Sequence, residues 1–200
     1  MKPNEYFLED LRCKDEAEAW LAMKSGDKRA LIFFYTRYFN NLYDYGTRIT
    51  RDRALAEDCI QDLFTEFWAK RDGLSEVKNI KFYLFKSLRR KIIYKISRDS
   101  KIALTDDMVP FEIELSHKTH YLSQQTNAEL RQKIIDLIKT LSPKQREAVF
   151  LIYYEELSYQ EASQIMDLKI KTVYNLIHLA ISKLRESKAH LSISLFSLFL

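Results

Sequence analysis

Along most of the chain apolar residues recur every three or four positions, the spacing of one helix face, and this pattern falls into two blocks. The first runs from about Glu16 to Arg98. Within it Asp27 is placed to cap a helix reading "KRALIFFYTRYFNNLYDYGTRIT", and Asp52 to cap the next, "RALAEDCIQDLFTEFWAKR". A short side-chain oxygen there accepts from backbone N–H groups that the first turn leaves unpaired. Beyond Gly73, Asn79 is placed to cap a third helix, "IKFYLFKSLRRKIIYKISR". The second block runs from about Asn127 to Lys188 and opens with "AELRQKIIDLIKTL". Ser142-Pro143-Lys144-Gln145 has the spacing of a capping box with proline in the first turn, and Ser158-Tyr159-Gln160-Glu161 repeats that spacing one helix later. This spacing predicts a helix from about Tyr159 to Met166 and then a turn at Asp167-Leu168-Lys169. Asp167 stands where glycine is common, and Asp tolerates a left-handed backbone better than most residues.

Between the blocks, residues 99–126 lose the pattern and contain Pro110, scattered acids and polar clusters. They read as a flexible linker, longer than ordinary helix connections. Residues 190–200 form an apolar tail, too short to span a bilayer. The expected organisation is therefore a helical domain over 1–98, the linker over 99–126, a helix-turn-helix domain over 127–189 and the tail.

Composition supports an all-α fold. With 46% hydrophobic residues the chain of 200 can bury a core, while 3 Gly and 3 Pro leave few of the punctuators that many-stranded folds use. Cys13 and Cys59 are too few for a disulfide framework or a cysteine zinc site. The N-terminus is polar and acidic, unlike a signal peptide, and no apolar run approaches the length of a membrane span. Cytoplasmic location without stable membrane insertion is the expectation.

The net charge of +4 is modest but unevenly placed: from Lys81 to Lys101 eight Lys or Arg face Asp99 alone. On the helix after Asn79, Phe82, Phe85, Leu88, Ile92 and Ile96 make the predicted core side. Tyr83, Ser87, Arg90, Lys91, Tyr94 and Arg98 stand opposite. Rings interleaved with cations suit a single strand, because unpaired bases stack on rings while cations track phosphates, and a solvated basic face is the plainer alternative. The helix after Asp52 buries Ala56, Ile60, Leu63, Phe64 and Phe67. It exposes Asp58, Gln61, Asp62 and Thr65 with Trp68 at the edge, an acidic, amide-bearing strip that repels phosphate and suits a protein partner or plain solvent.

In the last helix Val173, Ile177, Ala180 and Leu184 form a buried seam flanked by Ile170 and Ile181. Lys171, Thr172, Asn175, His178, Leu179 and Ser182 face outward. Asn can bond adenine bidentately, Lys can reach guanine or phosphate, and Thr or Leu can touch a thymine methyl in the major groove.

Signals for catalysis are weak. His117 and His120 sit in the irregular stretch without a third ligand, so no metal site is expected. There is no Gly-rich phosphate loop and no nucleophile elbow, and neither a cofactor nor a small-molecule substrate is expected.

"WLAMKSGDKRAL", "RALAEDCIQDLFTEFWAKRD", "LSPKQREAVFLIYYEELSYQEASQIM" and "KTVYNLIHLAISKLR", in this order, resemble the successive motifs of the sigma-70 family of bacterial transcription initiation factors, in its extracytoplasmic-function (ECF) group. The resemblance covers nearly the whole chain except the linker and tail. It implies a sigma-2-like helical bundle and a sigma-4-like helix-turn-helix domain. The first would bind core RNA polymerase through Asp58, Gln61, Asp62, Thr65 and Trp68, and the minus-ten strand through Lys78, Asn79, Tyr83, Ser87, Arg90, Lys91, Tyr94 and Arg98. The second would bind the minus-35 duplex through Lys169, Lys171, Thr172, Asn175, His178 and Ser182. The linker would thread toward the polymerase active centre.

The implied function is promoter recognition, strand opening and transcription initiation without catalysis by the chain itself. Core polymerase, promoter DNA and an anti-sigma factor are the implied partners. The pattern departs from the family at Arg90 and Tyr94, where relatives often carry Asn and Asp, and at Leu176 and Leu179, where they often carry Arg. Promoter sequence therefore does not transfer. The competing reading is a stand-alone helix-turn-helix regulator with a helical N-terminal sensing domain, which leaves the acidic strip and the basic helix unrelated.

Overall fold

In the computed structural model, residues 16–74, 79–100, 109–112 and 128–186 are described. The regular elements among them are helices: α1 Glu16–Lys24, α2 Lys28–Thr50, α3 Arg53–Ala69, a short 3-10 turn Arg71–Gly73, α4 Ile80–Ser100, α5 Ala128–Lys139, α6 Pro143–Val149, α7 Tyr159–Ile165 and α8 Ile170–Glu186. The expected all-α class is the observed one. Lys78, His117, His120 and the apolar tail lie outside the described residues.

The chain divides into two compact units, Met1–Gly46 with Asp52–Ile92, and Thr47–Arg51 with Ile93–Leu200. In the first, α1 to α4 are joined by an aromatic core. Trp20 of α1 lies 5.5 Å from Phe67 of α3, and Phe34 of α2 meets that ring edge-on at 6.3 Å. Tyr45, fully buried, packs 5.1 Å from Phe85 of α4. Gly46 sits where the helices crowd: a Cβ there would stand 3.2 Å from Ala56 Cβ and 3.5 Å from Ile92 Cδ1. Asp52 caps α3 by accepting from Leu55 N at 3.1 Å, and Asn79 caps α4 by accepting from Phe82 N at 3.1 Å. Asp27 likewise accepts from Arg29 N at the start of α2.

The buried side of α4 differs in part from the expected one. Ile80, Leu84, Phe85, Leu88 and Ile92 are buried together with Arg89, whereas Phe82 and Ile96 are only half-buried. The row spaced by four from Ile80 to Ile92 centres the apolar stripe, and Phe82 falls at its edge. There Phe82 meets the Lys86 ammonium, 5.3 Å from its ring centroid.

In the second unit, Leu141, Ala180 and Leu184 form a buried cluster extended by Leu137, Ile138 and Val149. Both capping boxes form: Ser142 with Gln145, and Ser158 with Glu161. After α6 the backbone runs through a π-helical turn, Phe150–Tyr154, which inserts an extra residue before α7 and rotates the chain beyond it. Of residues 109–112, Val109 and Phe111 are buried, and the Phe111 ring packs 5.5 Å from Phe150. Arg48, also buried, holds its guanidinium 4.9 Å over the same Phe150 ring, and its backbone carbonyl accepts from Glu112 N at 2.9 Å. Arg51 pairs with the Glu112 carboxylate. Part of the stretch read as flexible linker is thus packed.

Candidate nucleic-acid interface

Helix α8 is positioned by α6 and α7. Val173, Ile177, Ala180 and Leu184 are buried as expected. The backbone enters α8 through Asp167 at φ 54°, a left-handed conformation. Leu168 N donates to Ser163 O at 2.9 Å and Thr172 N to Lys169 O at 2.8 Å, closing the turn. Lys169, Lys171, Thr172, Asn175 and His178 are exposed, and Ser182 is half-exposed. Val173 and the other buried residues hold one face inward. Lys171, Asn175 and Ser182 therefore share the opposite face, where base edges would lie if the helix entered a major groove.

Sequence reasoning passed over Tyr174. It is 52% exposed, and its ring stacks on Tyr159 at the start of α7, centroids 4.2 Å apart and planes within 9°. Tyr159 is hydrogen-bonded in turn to Tyr153 of the π-helical turn, and burial, followed by the nearby Tyr153, raises the pKa of the Tyr159 hydroxyl. No periodicity pairs Tyr159 with Tyr174; only the turn between α7 and α8 does.

The acidic strip of α3 is exposed at Asp58, Gln61, Asp62 and Thr65, as expected. The Thr65 hydroxyl donates to Gln61 O at 2.8 Å, so its proton is engaged within the helix. Trp68 is half-buried, and the Arg71 guanidinium lies 4.6 Å from its ring centroid while Arg71 Nη1 donates to Trp68 O. One face of that indole is therefore covered.

On α4, Arg90, Tyr94 and Arg98 are exposed and succeed one another at single-turn spacing; Tyr94 is 66% exposed. Ser87 is half-exposed beside them. Two residues expected on this side are committed to the bundle instead. Tyr83 packs 5.7 Å from Phe67, and Lys91, its side chain only 16% exposed, is ion-paired with Glu66 of α3. That pair, led by the hydrogen bond from Lys91, holds the Glu66 carboxyl below its ordinary pKa. Lys91 stands at the border between the buried stripe of α4 and its outer face, where Glu66 of α3 supplies a partner that the periodicity of α4 alone does not show; Tyr83 counts to the outer side but lies near the start of α4, where it meets Phe67 of α3. Asn79 is likewise engaged, as the cap of α4.

A helix-turn-helix with an outward polar face, on a chain that also presents an exposed acidic helix face and a basic aromatic one, defines an all-helical helix-turn-helix protein among the described residues. Residues 34–102 match the family described as Sigma-70 region 2, and residues 131–184 match Sigma-70, region 4. The chain belongs to the sigma-70 family and, with its relatives, to the ECF group of RNA polymerase sigma factors. It is 28% identical over 137 residues to the ECF RNA polymerase sigma factor SigM of Bacillus subtilis, covering 67% of this chain and 80% of that one. To the RNA polymerase sigma-E factor of Streptomyces avermitilis it is 27% identical over 139 residues, covering 70% of this chain and 74% of that one.

Two solved structures share the fold. RpoE from Bartonella quintana, in complex with the anti-sigma factor NepR, superposes with TM-score 0.57 at 23% identity, over 80% of this chain and 98% of that one. CnrH, in complex with the cytosolic domain of CnrY, superposes with TM-score 0.56 at 18% identity, over 88% of this chain and 99% of that one.

Proposed function

We propose that the chain works as a dissociable, non-catalytic polymerase subunit whose three exposed faces divide the work of initiation. The α3 strip, Asp58, Gln61 and Asp62 with Thr65 and the open side of Trp68, docks on core polymerase. The α4 face, chiefly Arg90, Tyr94, Arg98 and Ser87, takes the minus-ten strand once the duplex opens; Lys78 joins it, and Tyr83, Asn79 and Lys91 support the helix from behind. The turn and outer face of α8, Lys169, Lys171, Thr172, Asn175, His178 and Ser182, read the minus-35 duplex. In domain terms this gives a region-2 body over 1–98, a connection over 99–126 and a region-4 body over 127–189. Such a role places the chain's action in the cytoplasm, and an anti-sigma factor is a further proposed partner.

The observation that carries the reading is the union, on one chain, of an acidic exposed helix, a basic aromatic helix and a helix-turn-helix in family order. A stand-alone regulator would use only the last. Transcription reconstituted with purified core polymerase on the chain's own genomic promoters is the test: initiation dependent on the chain is expected. Failure to bind core, combined with binding of a palindromic duplex by the chain alone, would favour the regulator. Asp62→Lys is expected to abolish core binding with the fold retained, and unchanged affinity removes the α3 strip from the interface.

A further inference from the structure

Tyr174 occupies an unusual place on α8. Counting about 100° per residue, it stands beside the buried seam at Val173, on the flank nearest Tyr159, and not on the outer line of Lys171, Asn175 and Ser182. When a recognition helix lies in a major groove, its outermost line faces base edges, while its flanks face the sugar-phosphate walls. A flank residue with a hydroxyl is suited to a phosphate oxygen.

The ring of Tyr174 is half-exposed, yet the parallel stack with Tyr159 restricts it. Tyr159 is itself tied to Tyr153 in the π-helical turn. Among the described residues no group receives the Tyr174 hydroxyl. A rigid, outward-facing donor results, whose ordering cost on binding is already met by the fold.

We propose that the Tyr159–Tyr174 stack is a phosphate-contacting element of the duplex interface, in which Tyr174 donates its hydroxyl to a backbone phosphate and Tyr159 is the positioning residue that holds the ring. It rests on the reading that α7 and α8 bind duplex DNA. The contact is neutral, so it adds affinity without releasing a counterion and leaves the salt slope untouched. It carries no base information, so it leaves the preferred sequence untouched.

The experiment uses core polymerase loaded with the full-length chain and a pool of random-sequence duplexes, first to obtain the preferred sequence and then to measure affinity against salt. Tyr174→Phe keeps the ring and removes the donor; affinity is expected to fall about tenfold, the usual worth of a hydrogen bond to a charged acceptor. The slope of log affinity against log salt and the preferred sequence stay as in the wild type. Lys171→Ala, by contrast, should flatten the slope by about 0.9 if Lys171 touches phosphate.

Tyr159→Leu should weaken binding by loosening Tyr174, and Tyr159→Phe, which keeps the stack, should restore it. A merely structural Tyr159 would not confine its effect to variants that retain the Tyr174 hydroxyl, so Tyr159→Leu is also combined with Tyr174→Phe, where no further loss is expected. Equal affinity of wild type and Tyr174→Phe overturns the proposal, as does an altered preferred sequence, which would make Tyr174 a base reader. If the wild-type chain enriches no duplex at all, the duplex reading itself fails and the proposal falls with it.

Discussion

Lys91 provides a sharp test of which cations on α4 belong to the proposed minus-ten face. Sequence periodicity groups it with Arg90, but its side chain is 16% exposed and its ammonium is paired with Glu66, whose side chain is 53% exposed. One end of the pair is well solvated, so screening limits its worth to about 0.5–1 kcal/mol, the upper part of the range for surface pairs. Lys91→Met should therefore cost a few degrees of Tm, since about 1 kcal/mol moves a domain of this size by roughly 4–8 °C.

The Glu66 carboxyl has its folded pKa below the ordinary value of 4.5, first through the hydrogen bond from Lys91. Its stabilisation is thus fully present above that ordinary value and disappears as pH falls through the lower folded value. A double-mutant cycle with Glu66→Gln should show coupling at neutral pH and lose it in acid. On nucleic acid the outcome should be the reverse of the stability ranking. With polymerase loaded with the chain and a single-stranded probe, Arg90→Ala and Arg98→Ala should each reduce the salt slope by about 0.7. Lys91→Met should leave the slope unchanged. A slope lost with Lys91 as fully as with Arg90 would refute the argument, because it would require the ion pair to open in the bound state.

Other changes address the framework that presents the faces. Ser158→Ala removes the acceptor of the Glu161 N–H, which bonds at 3.2 Å, and should destabilise the second unit by about 1 kcal/mol in urea melts. Gly46→Leu places a branched side chain where a Cβ already meets Ala56 at 3.2 Å; a cost of about 1–3 kcal/mol or more is expected by the same measurement. Asp167→Val puts a β-branched residue at φ 54° and should cost about 1–2 kcal/mol, whereas Asp167→Gly should be tolerated; differential scanning fluorimetry of the pair separates backbone strain from loss of the carboxylate.

Helix α2 spans the residues that the apolar period and Asp27 delimit, and both capping boxes form where their spacing places them. These features are legible because they depend on neighbours within one turn. The buried seam of α8 is legible for a related reason: four apolar residues at helical spacing leave one choice of inward face. The ion pair of Lys91 joins residues separated by 25 positions, and the stack of Tyr159 on Tyr174 depends on the angle of the turn between two helices. Neither leaves a mark in local periodicity. Arg48 is hidden for the same reason, since the cation beneath Phe150 lies in a different sequence block from that ring. The π-helical turn has no composition signal in "FLIYY", which reads as ordinary helix.

Contacts that periodicity does not show arise where α4 and α8 meet neighbouring helices. Periodicity divides a helix into an inner and an outer half, yet a helix packed between neighbours has borders where a long side chain can turn either way. Lys91 stands at such a border and turns inward onto Glu66, whereas Tyr83, on the outer side by that count, packs on Phe67 near the start of α4. Tyr174 stands at a border of α8, but its neighbour Tyr159 covers only one face of the ring and leaves the residue 52% exposed. Whether a border residue stays exposed is thus decided by what the adjacent helix offers: a carboxylate draws a cation inward, whereas a flat ring braces a tyrosine that remains half-exposed. The proposed nucleic-acid faces are therefore narrower in charge than the sequence suggests at α4, and, with Tyr174 in the proposed role, gain a hydrogen-bond donor at α8.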